Sequence, residues 1–247
     1  NGLSGGFEVT SYSGYLRVFR GDESGQWAWV STRYEPRLAL KAADKALELA
    51  KLCEELPKER VESGSYRVLL SPMVAGNLLE SVAYAATAGY VILGFSFLQG
   101  KRRGDIVASE KLTIRDVPLN ENLPGYRSFD DEGVATSNKA IVERGVFKGF
   151  LHNTKTARVL GETTTGNAGW ILPRVFNIEV EGGSLREDEM LEVLRDGLYA
   201  TNNWYTRFQN YLEGQFSTVT RDALIIVRSG KPVACSRRVR LTGTLPE

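Results

Sequence analysis

The order of patterns along this 247-residue chain predicts an α+β fold: a large, mainly antiparallel and in part closed sheet with a few segregated helices. Three observations lead there. Two helix patterns fall within the first ninety residues, turn-punctuated strand patterns dominate the rest, and the two kinds do not alternate as a parallel sheet would require.

The first strands lie between Phe7 and Thr32, where Tyr15, Leu16, Val18 and Phe19 run into a Gly21–Gly25 turn followed by Trp27, Trp29 and Val30, a hairpin pattern. The first helix follows. Pro36 suits its first turn, Leu38, Ala42, Ala46, Leu49, Cys53 and Leu56 recur every three or four residues, and Pro57 stops it. The charged, turn-rich stretch from Pro57 to Ser65 is a linker, which sets residues 1–60 apart from residues 61–247. One hairpin and one helix bury too little apolar area for a core of their own, so the front segment must dock on another surface.

Tyr66 to Leu70 reads as a short buried strand, and Ser71 can cap a helix that begins at Pro72 and stops at Gly89. Val74, Ala75, Leu78, Val82 and Ala86 form its apolar side, with Glu80 almost opposite and Tyr84 one turn beyond it. Beyond lie strand patterns over 106–116, 139–152 with a turn at Arg144-Gly145, 175–180, 216–228 and 232–242. One helix interrupts them, opened by Ser184 with Glu187 as a capping box and continued by Met190, Leu191, Leu194 and Leu198.

Composition excludes several functions. Thirty-one basic against 30 acidic residues leave a net charge of +1, too balanced for the electrostatic footprint of a nucleic-acid binder. The runs Lys101-Arg102-Arg103 and Arg237-Arg238 with Arg240 read as solvated faces. The longest apolar stretch, around Ala85 to Leu98, is broken by Thr87, Gly89, Gly94 and Ser96 and is too short for a membrane span. Two cysteines, Cys53 and Cys235, make no disulfide framework legible and fit a reducing compartment. The opening Asn1-Gly2-Leu3 has neither an initiator methionine nor a signal peptide, which predicts further chain ahead of it.

The single histidine, His152, argues against a Ser-His-Asp triad, because no G-x-S-x-G elbow accompanies it, and it rules out a two-histidine metal site within one chain. An all-carboxylate site is conceivable at Asp130, Asp131 and Glu132, although a solvated turn into Gly133 is the better reading of the same residues. No glycine-rich phosphate loop occurs in a strand-to-helix setting. The most distinctive loop runs from Gly161 to Trp170 and contains Thr163, Thr164, Thr165, Gly166 and Asn167. Its backbone could pair with an extended peptide, Gly166 supplying clearance that a Cβ would deny, or its threonines could satisfy their own turn.

Several runs together carry a family resemblance. Phe129 to Thr136, Ile141 to Asn153, Thr156-Ala157-Arg158 and Thr165-Gly166-Asn167 are similar, in order and spacing, to the central signature of the TldD/PmbA family. Leu69 to Leu79, Gly94 to Phe97, Gly197 to Thr201, Glu213 to Ser217 and Ile226 to Gly243 extend the resemblance over most of the chain from Tyr66 onward. It implies a cytoplasmic metallopeptidase subunit acting on unfolded peptides within an enclosed cavity, paired as a heterodimer or homodimer. It also implies an additional α/β domain in front, whose last hairpin and helix look like residues 7–56.

The catalytic TldD-type subunit of that family carries an H-E-x-x-x-H motif, whose imidazoles bind zinc and whose carboxylate can act as general base. Aligned on Leu78-Leu79, those positions hold Glu80, Ser81 and Ala85 here. The resemblance is therefore to the non-catalytic PmbA/TldE type, with zinc in a TldD-type partner and no metal in this chain. His152 and Thr163 to Asn167 are its peptide-cleft residues on this reading. An active hydrolase using Glu80 with Asp130, Asp131 or Glu132, and a stand-alone peptide-binding protein of the same fold, are the alternatives.

Overall fold

The computed structural model describes residues 4–245, so Asn1 to Leu3 lie outside the described residues. Thirteen strands and five helices make a mixed α+β molecule in which strands pair mostly antiparallel. The strands are shared among four open sheets, and none closes into a barrel among the described residues.

Strands β1 (Tyr12–Arg20) and β2 (Glu23–Ser31) form the hairpin read from the sequence, turning at Gly21, whose φ of 57° needs no Cβ. Helix α1 (Pro36–Glu55) follows and buries Ala42, Ala46, Leu49, Ala50 and Cys53, the stripe its spacing predicts. That stripe packs on its own hairpin, where a Cβ on Gly25 of β2 would lie 2.2 Å from the Ala46 carbonyl oxygen, and through Leu49 and Cys53 it meets the sheet of β3 (Val68–Leu70), β8 (Gly197–Ala200), β11 (Leu224–Arg228) and β12 (Lys231–Ser236). All apolar residues of β11 are buried because the sheet is covered on both faces. Ile225 and Val227 pack with α1, while Leu224 and Ile226 pack with Val74 and Leu78 of α2 (Pro72–Ala85). The front segment thus docks on the main sheet, and Cys53 is disulfide-bonded to Cys235 of β12. A spacing of 182 residues gives a pair of cysteines no local signature, which is why this bond was not legible.

The second half of α2 turns to another core, where Val82, Ala83, Ala85 and Ala86 meet Ile114, Ile141, Phe147 and Leu151. These last residues belong to, or follow, the sheet of β4 (Ile114–Asp116), β5 (Lys139–Glu143), β6 (Val146–Phe147) and β7 (Ile178–Val180). The third large sheet joins β9 (Asn203–Asn210), β10 (Gln215–Thr220) and β13 (Arg240–Thr244), with β9 and β13 at its edges.

Four expectations are corrected. Helix α2 ends at Ala85 instead of Gly89, because Thr87 Oγ1 donates back to the Tyr84 carbonyl and residues 86–88 pair with Leu151; Gly89 lies inside a separate short helix, α3 (Ala88–Ile92). The 106–116 strand shrinks to β4. Arg186, not Ser184, caps α5 (Glu187–Leu194), and Leu198 belongs to β8, since Arg195 at φ 60° breaks the helical path. The 216–228 strand divides at Asp222, also at φ 60°.

Candidate functional site

Helix α2 places Glu80, Ser81 and Ala85. Its start is fixed by Ser71, whose Oγ accepts from the Val74 N–H at 3.3 Å and donates to the Thr201 carbonyl at 2.7 Å. With the register set, Glu80 is exposed, Ser81 half-buried and Ala85 buried. Ser81 and Ala85 form one wall of a cavity of about 150 Å³, completed by Tyr84, Tyr90, Phe95, Phe97, Phe208 and Tyr211. No imidazole reaches it. Its assembly from α2, α3, the following loop and β9 was not readable in advance, because β9 mixes polar and aromatic residues without clear alternation.

The other sequence-predicted residues gather where Leu151 meets the end of α2: its N–H donates to the Ala86 carbonyl and its own carbonyl accepts from Ala88, both at 2.9 Å. His152 follows, and then Asn153 caps α4 (Thr154–Leu160), a helix the sequence reading did not include. Asn153 Oδ1 accepts from the Thr156 N–H at 2.9 Å and Thr156 Oγ1 accepts from the Asn153 N–H at 3.2 Å. The loop after α4 returns to clasp the His152 backbone. Thr164 Oγ1 donates to its carbonyl at 3.2 Å, while Thr165 Oγ1 accepts its N–H at 2.7 Å. Thr163 alone of the three threonines is exposed.

His152 itself is 3% exposed. Burial pushes its imidazole below its ordinary range, partly opposed by Glu162 and by a contact with Thr156, so the ring is neutral near pH 7. It lies on a second cavity, of about 210 Å³, together with Lys101, Arg102, Arg103, Glu162 and Thr163.

Asn167 is completely buried. Its Nδ2 donates to Asp116 Oδ2 at 2.6 Å and to the Arg174 carbonyl at 2.9 Å, and its Oδ1 accepts from Lys139 Nζ at 3.1 Å and from Thr165 Oγ1 at 2.8 Å. The other Asp116 oxygen takes the N–H groups of Phe176 and Asn177. Burial lowers the Lys139 pKa, and Asp116 and Asp130 counter that. Gly166 has φ 66°, and a Cβ built on it would lie 2.5 Å from the Ala135 carbonyl oxygen. The clearance that glycine provides is therefore used by the protein's own backbone.

The acidic trio is likewise engaged. Asp130 accepts from the N–H groups of Glu132 and Val134 with one oxygen and from Ala168 with the other; Asp131 pairs with Arg127; Glu132 accepts from both the N–H and Oγ1 of Thr154 at the start of α4. None of the three hydrogen-bonds Glu80, and among the described residues no group of three or more His, Cys, Asp or Glu is placed to hold a metal ion.

Comparison with known proteins adds ancestry to this geometry. A family model described as "PmbA/TldA metallopeptidase C-terminal domain" matches residues 63–247. A metalloprotease of Archaeoglobus fulgidus is 38% identical over 163 residues, 63% of this chain and 38% of that protein. A zinc metalloprotease TldD homolog of Saccharolobus solfataricus is 28% identical over 158 residues, 60% of this chain and 35% of its own length. The chain thus spans well under half of these relatives. The crystal structure of TldE from Thermococcus kodakarensis superimposes with a TM-score of 0.81 at 18% identity, covering 96% of this chain and 55% of that one, a likeness of fold.

Proposed function

The chain belongs to the PmbA/TldD metallopeptidase family, and from that membership we propose that it is the non-catalytic, PmbA/TldE-type partner of a TldD-type subunit that carries zinc. The observation that carries this reading is the donor chemistry of α2. A catalytic zinc takes three protein ligands, commonly imidazoles and a carboxylate. At the positions where the family motif would supply them stand an exposed carboxylate, Glu80, a hydroxyl, Ser81, and a methyl group, Ala85, beside aromatic rings. This set does not fit zinc, so no step of peptide hydrolysis is assigned to this chain.

Its part is then to bind and enclose. The substrate is an unfolded peptide, and the exposed Thr163 with Thr164 and the neighbouring His152 border the cleft that receives it. Thr165, Gly166 and Asn167 act there by holding the loop's shape, since their hydrogen bonds and close contacts are internal. Residues 61–247 form the family domain and 1–60 the end of a preceding α/β domain, a division supported by the start of the family match at residue 63. No described helix is long and apolar enough to cross a membrane; the cytoplasmic setting of this reading comes from the family alone, and the Cys53–Cys235 disulfide runs against the reducing compartment that two cysteines suggested.

The test is reconstitution. This chain and an H-E-x-x-x-H family member from the same genome are purified separately, assayed for zinc and for hydrolysis of an unstructured peptide, then mixed. Zinc should follow the partner, the two should co-elute, and turnover should rise on mixing. Stoichiometric zinc with turnover in this chain alone would overturn the proposal, and failure to associate would favour a stand-alone peptide binder.

A further inference from the structure

We propose that the aromatic cavity beside Ser81 and Ala85 is a receptor for one large apolar side chain, aromatic or branched aliphatic, presented by an extended peptide lying along the outer edge of β9. The peptide in this inference rests on the function proposed above; the cavity and its preference are argued from the geometry alone.

Size comes first. Ligand pockets for drug-sized molecules run to roughly 300–1,000 Å³, whereas an apolar cavity of about 150 Å³ takes a benzene-sized group. The present cavity, about 150 Å³, therefore has room for one side chain and excludes a nucleotide or an extended cofactor. Its chemistry is equally selective. Tyr84 and Tyr90 stack at 6.1 Å, Phe95 meets Tyr211 at 5.3 Å, and Phe208 stacks on Tyr211 at 5.5 Å, so the walls are ring faces and edges. Ala85 is the small residue that leaves the space open.

The rings are not a closed core. Phe95 is 48% and Tyr211 45% exposed, and Ile92, Leu93 and Leu212 beside them in sequence are exposed as well. Large apolar groups gathered around an open cavity mark a contact surface. Burial raises the pKa of the Tyr84 hydroxyl on this wall, with Glu80 adding to the rise and Arg174 working against it.

The edge of β9 identifies the carrier. Among the described residues β9 pairs only with β10, so its outer N–H and C=O groups have no strand partner. An extended peptide that pairs there presents alternate side chains to each face, and Phe208, a residue of β9, lines the cavity. Main-chain pairing supplies affinity, and the cavity supplies selection.

The experiment titrates this chain, without a partner, with acetyl-Ala-Phe-Ala-amide, the matching Ala-Ala-Ala and Ala-Lys-Ala peptides, and free phenylalanine, by calorimetry. The phenylalanine peptide should bind at least about ten-fold more tightly than the other three ligands, in line with the loss of an anchor contact. Tyr211→Ser, on an exposed ring, and Ser81→Phe, which fills the cavity from the helix, should each reduce it to the level of the alanine peptide while circular dichroism stays unchanged. Equal affinity for the phenylalanine and alanine peptides, or full affinity in both folded variants, overturns the receptor. A preference for the lysine peptide overturns its apolar class, and equal affinity for free phenylalanine overturns the extended peptide. Because no partner is present, none of these results depends on whether the complex hydrolyses peptides.

Discussion

Asn167 bridges Asp116 and Lys139, donating from its amide nitrogen to one and accepting with its amide oxygen from the other. The carboxylate and the ammonium lie 3.8 Å apart, so the amide serves as their shared ligand in a site with little water. Replacing Asn167 with alanine strips both charges of a buried partner. The expected loss is about 3 kcal/mol of stability, read by urea denaturation, with Asn167→Asp no better because it sets a second carboxylate against Asp116.

The Cys53–Cys235 bond ties α1 to the far end of the chain. Alkylation of the native protein should label neither cysteine, and both should react after unfolding and reduction, as mass spectrometry will record. Reduction, or Cys53→Ser, should lower stability by about 2–5 kcal/mol, the range for a cross-link closing a long loop. Hydrogen exchange should then show α1 opening earlier than β11. With the bond intact the two should be protected alike, because Leu49 and Ile225 share one core.

Burial of His152 sets the sign of a pH dependence of stability. Its folded pKa lies below the ordinary value of 6.5, so the unfolded chain takes up the proton first. Stability from this group is full above about pH 6.5. It falls as the pH drops below that value and levels off once the folded pKa is passed. Because the chain has one histidine, its imidazole proton resonance can be followed directly. His152→Gln should flatten this segment of the stability profile.

Gly166→Val tests the turn. A side chain at φ 66° is strained, and its Cβ meets the Ala135 carbonyl, so stability should drop by roughly 2–4 kcal/mol with turnover of a reconstituted complex lost in proportion. Thr163→Val, on the exposed shoulder of the same loop, should leave the melting temperature within about 2 °C and weaken peptide binding; unchanged binding would remove Thr163 from the cleft.

What the sequence disclosed follows from the range of each signal. The α1 stripe and the Ser71-Pro72 start of α2 were legible because helical spacing and capping are written within a turn or two. Leu198 misled because apolar spacing continued past Leu194, whereas Arg195 leaves the helical region. The polar α4 left no apolar stripe, although its Asn153 and Thr156 cap was visible in retrospect. The bridge of Asp116, Lys139 and Asn167 and the ring of aromatics from Tyr84 to Tyr211 join residues far apart in the chain. Only packing brings such partners together, and no local pattern marks them.

The parallel pairing of β3 with β8 has a consequence for synthesis. Val68 to Leu70 face Leu198 to Ala200, and β11 and β12, which complete that sheet, are made later still. While the ribosome works through the intervening segment, β3 is a short apolar strand with an open edge, and Leu49 and Cys53 of α1, which the β1–β2 hairpin covers on one side, lack the later strands they pack against. Such long-range closure slows folding and leaves sticky surface exposed in the meantime. That sheet is complete only once β12 has been made, so the apolar edge of β3 waits for strands more than a hundred residues further along the chain.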